Sequence, residues 1–403
     1  MTPRARAFDD WIRSRFRELN TTLEEIYFAQ DDRAAVEGSG AELKRQLQEE
    51  GREFIIGLLA EGNTDEGFES AFDLLGNVGQ YMGACRRHEI TNPERERSSP
   101  LKEASALAMH LGATLGIAPR FATSHLATHN PAIDGDYKRF TSLEAEHVFL
   151  EYNTRGVLAY KRAADALVRI LPLGISHPVA CDLLQAAKNA LEDVVASNEI
   201  LFTKLDTDRF FFCVRPYYKP YRVGQHVYRG ANAGDFAGIN EIDLLLGLCR
   251  ADNPTYSQLL VDKFLFMMPE DQVRLRDVMR RPSLLDSLLS AMPTSASKDW
   301  FQTNGRIFVE VCRAHGRTAE SHHNALVSKF IEKPAGAMPA EHLQQITASG
   351  PPLPVLMDAL EKLRDLRVAA NRDDIPSRHA DLQRLRAALD MPGTPRPAGD
   401  FSS

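Results

Sequence analysis

Apolar residues recur at three- and four-residue spacing along most of the chain, and that period predicts helices. Asp9 to Gln30, Ala41 to Ala60 and Asp65 to Arg87 each present one apolar and one charged face. Ser99-Pro100 reads as a helix start, a capping hydroxyl followed by proline at the first helical position. Thr141-Ser142-Leu143-Glu144 fits a capping box and opens a segment running to Leu171. Pro178 to Lys204 is a helix rich in Ala and Leu, and Asn253-Pro254 starts another. Trp300 to Ile331 holds no proline and reads as one long helix. Pro354 to Leu389 closes the fold, with a break near Ile375-Pro376.

Strand signals are nearly absent. Phe210-Phe211-Phe212-Cys213-Val214 is the best candidate, and it is a single short run. Two-residue hairpin turns between alternating hydrophobics are missing. Loops are expected over Thr91 to Ser99, Thr128 to Tyr137 and Tyr217 to Gly238. No repeat of fixed period points to a solenoid. The pattern predicts an all-α protein with a helical N-terminal region over residues 1–115 and a larger helical domain over 116–390. A disordered, proline-rich tail is expected over 391–403.

Composition narrows the function classes. Of 403 residues, 43% are hydrophobic and 26% charged, enough apolar material for a large core. Lys+Arg is 48 and Asp+Glu is 55, a net charge of −7, so no global positive field would hold nucleic acid. No stretch approaches the ~20 apolar residues of a membrane span. Met1-Thr2-Pro3-Arg4-Ala5-Arg6 leads into Asp9-Asp10-Trp11 and not into an apolar core, so no secretory signal is expected. The five cysteines contain no CxxC pair and read as buried thiols of a reducing, cytoplasmic compartment. GxSxG, a P-loop and a strand-borne GxGxxG are absent, which removes support for a serine hydrolase, a kinase or a Rossmann oxidoreductase.

Two segments carry candidate chemistry. Adjacent helical residues point about 100° apart, so only one of His322 and His323 can face a given metal. Periodicity alone accepts either. In the second segment Arg215 follows five apolar residues directly. Burying a guanidinium is costly without a carboxylate or phosphate partner. Arg215 is therefore either a fork for a ligand carboxylate or half of a structural pair. His147 and Glu151 are four apart and share a helix face, open to a site role or an exposed ion pair.

Taken together these pieces resemble the haem-dependent tryptophan and indoleamine 2,3-dioxygenase superfamily. Ser321-x-His323, then Val327-x-Lys329-Phe330-Ile331, then Pro334-Ala335 is similar to the family segment that holds the proximal haem histidine. That register implies His323 as the iron ligand, with His322 as runner-up. Phe210-Phe211, three residues, then Arg215-x-Tyr217 is similar to the family's substrate segment. There two phenylalanines stack on the indole and the arginine binds the amino-acid carboxylate, which implies a substrate site of Phe210, Phe211, Arg215 and Tyr217. Val227-Tyr228-x-Gly230, Phe236-Ala237-Gly238, Leu244-Leu245-Leu246-Gly247 and Met268-Pro269 follow in family order. The resemblance covers about residues 205 to 335. It implies a helical bundle around non-covalent haem b, its iron open to O₂. It also implies a distal haem face supplied by His147, Phe149, Glu151 and Tyr152. The family's glycine- and threonine-rich loop near the substrate ammonium is replaced by Thr347-Ala348-Ser349-Gly350-Pro351, which implies Ser349 at that position. Glu320 stands where the family has arginine, and the stretch from Gly238 to Met268 is shortened. These departures make the chain most similar to the branch named after monodechloroaminopyrrolnitrin synthase, a haem enzyme that rearranges a chlorinated tryptophan. The partners implied are a small indole amino acid and O₂, with no nucleic acid or membrane. The resemblance admits ring-cleaving dioxygenation, rearrangement of a substituted tryptophan, or non-catalytic haem binding.

Overall fold

Thr2 and Pro3 start the first helix: the Thr2 hydroxyl accepts the Ala5 N–H at 3.2 Å, and Pro3 loses nothing by lacking a donor in the first turn. The structure is a computed structural model and describes residues 1–62, 66–231, 235–332 and 353–391. Helices α1 (Pro3–Trp11) and α2 (Arg17–Phe28) are joined through a π-helical turn, Ile12–Phe16, into one rod. Helices α3 (Ala41–Glu61), α4 (Phe68–Arg87), α5 (Lys102–Leu115) and the single turn α6 (Thr123–Leu126) follow. The long α7 (Glu144–Leu173) and α8 (Pro178–Lys204) pack side by side, and the short α9 (Thr207–Arg209) comes next. Helices α10 (Ala237–Leu246), α11 (Pro254–Phe264), α12 (Pro269–Val278), α13 (Leu284–Ser295) and α14 (Asp299–Glu320) complete the middle of the fold. Two further helices, Leu353–Arg367 and His379–Ala388, pack on it. The fold is all-α, as the apolar period predicts.

Several local expectations are corrected by what surrounds them. The Ser99 hydroxyl accepts the Leu101 N–H at 3.3 Å, but α5 begins only at Lys102, so Ser99-Pro100 forms the turn before the helix. At the start of α7 the reciprocal partner of Thr141 is Glu146, not Glu144. The Glu146 carboxylate accepts the Phe140 N–H at 2.9 Å and both the Thr141 N–H and hydroxyl at 2.6 Å. Glu146 is fully buried there, and those donors offset the cost of burying it. Phe210–Val214 is a π turn and not a strand: among the described residues no strand lies beside it, and its rings serve packing. A two-residue hairpin does exist: Tyr221–Val223 pairs antiparallel with His226–Tyr228 around Gly224-Gln225. Gly224 takes a positive φ of 57° there. The strands are too short to show alternation in the sequence. Trp300 to Ile331 is one continuous helix, but it changes to π winding over Ser321–Glu332.

Two apolar clusters make up most of the core. One gathers Phe8, Phe16, Leu47 and Tyr81 from the N-terminal helices with Phe149, Phe210 and Phe330. The other gathers Leu167, Leu184 and Leu191 with Ile242, Phe301 and Phe308. Helix α7 contributes Ala145–Tyr152 to the first and residues from Ala159 onward to the second, so the two clusters share one rod. All five cysteines are free thiols, four of them buried. Among the described residues no helix is long and apolar enough to cross a membrane. Ser349, its loop from Thr347 to Pro351, and residues 392–403 of the expected tail lie outside the described residues.

Candidate functional site

Two non-α turns sit back to back after α9. The Asp206 carboxylate accepts the Arg209 N–H at 2.8 Å and launches the segment. In the π turn the Arg215 N–H bonds the Phe210 carbonyl, five residues back. Pro216 has no N–H with which to continue that ladder, and Arg215–Tyr218 winds as a 3₁₀ turn. Side-chain directions here therefore do not follow an α period.

Phe210 points into an aromatic wall. Its ring centroid lies 4.9 Å from Phe149 on α7 and 6.0 Å from Phe330 on the π segment after α14. Phe149 in turn lies 5.9 Å from Tyr218. Three stretches far apart in sequence thus meet at one ring. Phe211 faces Phe212 at 5.0 Å and supports the Arg215 guanidinium, 5.7 Å from its centroid. Arg215 Nη2 is buried without a hydrogen-bond partner. Burial alone acts on its charge and lowers its pKa to about 10. A structural acid partner for Arg215, one of the two sequence alternatives, is absent among the described residues.

Tyr217 turns the other way. Its ring packs on Phe140 at 4.5 Å, and its hydroxyl lies 3.4 Å from His88 Nε2. It belongs to a buried polar network that the sequence does not reveal. His88 Nδ1 meets the Tyr27 hydroxyl at 3.1 Å, and Nε2 meets Asn20 Oδ1 at 2.8 Å. Arg87 forks onto Glu24 at 2.8 and 2.7 Å and donates to the Phe212 carbonyl at 2.9 Å. No motif marks these residues, because each is an ordinary polar side chain on the inner face of a helix.

The four α7 candidates separate. Phe149 joins the aromatic wall. His147 and Glu151 lie 4.0 Å apart on a partly exposed face, and Glu151 also accepts from Arg155 at 2.5 Å. Tyr152 turns toward α8, where its hydroxyl accepts from Lys204 Nζ at 3.2 Å. Tyr152 shares the apolar cluster of Phe149 and Phe210, but among the described residues the α7 ring in contact with Phe210 is that of Phe149.

His322 and His323 lie on the π segment that also carries Phe330. His322 has exposed surface, yet protein crowds it enough that burial lowers its pKa to about 4, with Arg367 and His323 acting in the same direction. His323 is half-buried. His315, seven residues before His322, is fully buried and bonds Asp243 at 2.7 Å. Arg367 forks onto the same carboxylate at 2.9 and 2.8 Å, and the Tyr256 hydroxyl donates to it at 2.7 Å. Gly230, one of the landmarks, passes so close to Tyr218 that a Cβ would overlap the Tyr218 carbonyl oxygen. A histidine pair on the segment that also carries Phe330 of the aromatic wall, together with an Arg215 Nη2 that has no partner, fits a flat apolar group with an iron centre and acidic substituents.

Residues 2–389 match the family described as Monodechloroaminopyrrolnitrin synthase PrnB. The chain belongs to this family. The match reaches the N-terminal helices, well upstream of the landmarks between 205 and 335. It includes Glu24, Arg87 and His88, which hold the Phe210–Tyr217 segment from below. The family is named for a synthase, so the chain is a member of an enzyme family.

Proposed function

We propose that the protein is a haem-dependent oxidoreductase acting with O₂ on tryptophan or a tryptophan-like indole amino acid. The observation that carries this reading is Arg215: a desolvated guanidinium with Nη2 unsatisfied, at the edge of an aromatic wall. A half-buried arginine whose Nη2 is shut off from solvent and lacks a protein acid calls for a ligand acid, and a carboxylate matches its fork. An indole ring matches the aromatic side chains next to it. His323 would hold the haem iron, with His322 as the alternative. Among the described residues no group of three or more His, Cys, Asp or Glu side chains is arranged for a metal ion. A porphyrin brings its own nitrogen donors and needs only one such side chain. The chemistry haem supplies when bound is O₂ activation at its iron.

The residues of the chain would do the positioning. Arg215 holds the carboxylate, Phe211 holds Arg215 in place, and Phe210 with Phe149 limits the tilt of the ring. Orientation of this kind lowers a barrier by converting a chance encounter into a held geometry. Ser349 remains the proposed contact for the substrate ammonium. A second reading, rearrangement of a substituted tryptophan without ring cleavage, is supported by the match to a synthase family over nearly the whole chain.

Absorption spectroscopy of the purified protein tests the assignment. The wild type should show a Soret band that shifts on adding L-tryptophan. His323→Ala should lose the band and His322→Ala should keep it; the reverse result transfers the ligand role to His322. Arg215→Gln should keep the band and lose the tryptophan-induced shift. A Soret band without any response to tryptophan would leave a haem-binding protein and sink the catalytic reading. Mass spectrometry of the product separates N-formylkynurenine from a rearranged tryptophan.

A further inference from the structure

Lys329 lies next to Phe330 on the π segment Ser321–Glu332, which also carries the two histidines. We propose that Lys329 is a positioning residue of the site: it pins this segment to the C-terminal end of α8 and thereby sets how Phe330 backs Phe210. The inference rests on the ligand site proposed above at Phe210 and Arg215.

Helix α8 runs to Lys204, and at its end the Leu205 N–H bonds the Leu201 carbonyl at 3.1 Å. The Phe202 carbonyl, one residue further on, takes a donor from outside the helix: Lys329 Nζ donates to it at 2.5 Å. A cation suits this place, because the last carbonyls of a helix lack partners along the chain and gather partial negative charge. The same ammonium lies 4.4 Å from the Phe202 ring centroid and 4.9 Å from that of Phe330. Phe330 is buried, and it meets Phe210 edge to face, with centroids 6.0 Å apart and planes at 80°. Phe202 and Phe210 belong to one stretch, in which α8 runs through α9 into the π turn. The histidine-bearing segment is thus held against that stretch by a ring pair inside and by an ammonium–carbonyl bond at its edge.

A π winding is rare and mostly confined to a single turn. Ser321–Glu332 keeps it for longer, so its register depends on partners outside the segment. A slip of the segment moves Phe330, and with it the ring behind Phe210. The indole then meets a wall that has to be ordered on binding, and the cost of that ordering weakens affinity. Arginine at position 329 would keep both the charge and a donor for the Phe202 carbonyl. Methionine keeps the apolar stem and supplies neither.

L-Tryptophan is the probe, and its dissociation constant is read from the shift of the Soret band of purified holoprotein. Lys329→Met should keep the band and bind tryptophan about tenfold more weakly, while Lys329→Arg should stay within about twofold of wild type. Because the lysine acts through Phe330, its loss should matter little once that ring is gone. Phe330→Leu alone and Phe330→Leu combined with Lys329→Met should therefore bind tryptophan alike. Should Lys329→Met not fold, Lys329→Gln takes its place, being neutral and shorter. Wild-type affinity in the neutral variant, whatever its melting temperature, would overturn the proposal and leave Lys329 a cap of α8. Equal weakening in Lys329→Met and Lys329→Arg would overturn it too, as would additive losses in the double variant. Loss of the Soret band in Lys329→Met would move the effect to the histidines and overturn the route through Phe330. A wild type that does not respond to tryptophan defeats the proposed ligand site and takes this inference with it. A wild type that responds while Lys329→Met matches it defeats only the role of Lys329.

Discussion

Arg87 on α4 donates to the Phe212 carbonyl at 2.9 Å while its guanidinium forks onto Glu24 on α2. One side chain therefore ties the N-terminal helices to the π turn that carries Phe210, Phe211 and Arg215. Glu24 is fully buried and Arg87 nearly so. Removing one partner leaves the other charge buried and unpaired, which costs about 3–5 kcal/mol. Urea unfolding of Arg87→Met should show a loss of that size. The double variant Glu24→Gln with Arg87→Met should lose clearly less than the sum of the two singles, because the pair is coupled. Additive losses would mean that the fork is not an energetic unit.

Gly230→Ala tests whether the site depends on the backbone contact behind it. The added Cβ overlaps the Tyr218 carbonyl oxygen, and backbone cannot rotate away as a flexible side chain would. The strain should cost about 1–3 kcal/mol. Because Tyr218 ends the Arg215 turn, L-tryptophan should bind more weakly, with the Soret band retained. An unchanged melting temperature and unchanged binding would show that the two segments do not press on each other.

Asp243 joins four elements: α10, which carries it, α11 through Tyr256, α14 through His315, and the Leu353–Arg367 helix through Arg367. Burial acts against its charge, but Arg367 and His315 outweigh it and hold its pKa well below the usual carboxylate range. The sign follows from that direction. The folded carboxylate stays ionised where the unfolded one takes up a proton, so its stabilisation is complete above about pH 4 and is lost as pH falls further. Asp243→Asn should be destabilised at pH 7 by about 3–5 kcal/mol. Its stability should also fall less steeply on acidification than that of the wild type, as read by urea unfolding at a series of pH values.

His125 makes the opposite kind of demand, a neutral imidazole. Its Nδ1 accepts the Ala122 N–H at 3.0 Å, which leaves Nε2 as the donor to the Phe72 carbonyl at 2.9 Å. The ring stacks on Phe72 with centroids 3.8 Å apart. Burial lowers its pKa to about 3. As pH drops below about 6.5 the unfolded chain takes up a proton that the folded one refuses. Stability should fall over that window down to about pH 3, and His125→Gln should lose one proton's worth of the slope. Equal slopes in the two proteins would show that His125 titrates alike in both states.

Much of this protein was legible in its local sequence. The helix positions follow from apolar periodicity and from caps such as Asn253, whose side chain accepts the Tyr256 N–H at 2.9 Å. Those signals act within one or two turns, so they survive without knowledge of neighbours. Phe210–Arg215 and the His322-His323 pair also stood out, because a lone arginine after five apolar residues and a paired histidine are rare locally. Tertiary structure decided what local pattern does not encode. Glu24, Arg87 and Phe212 lie far apart in the chain, and nothing in the surroundings of any one of them announces the others. The choice of Phe149, and not Tyr152, as the ring that meets Phe210 depends on how α7 is rotated against α8 and the π turn. The π winding at Phe210–Val214 and Ser321–Glu332 is set by what those segments pack against, since their residues would also accept a strand or an α-helix. Periodicity tells which face is buried; only packing tells what that face meets.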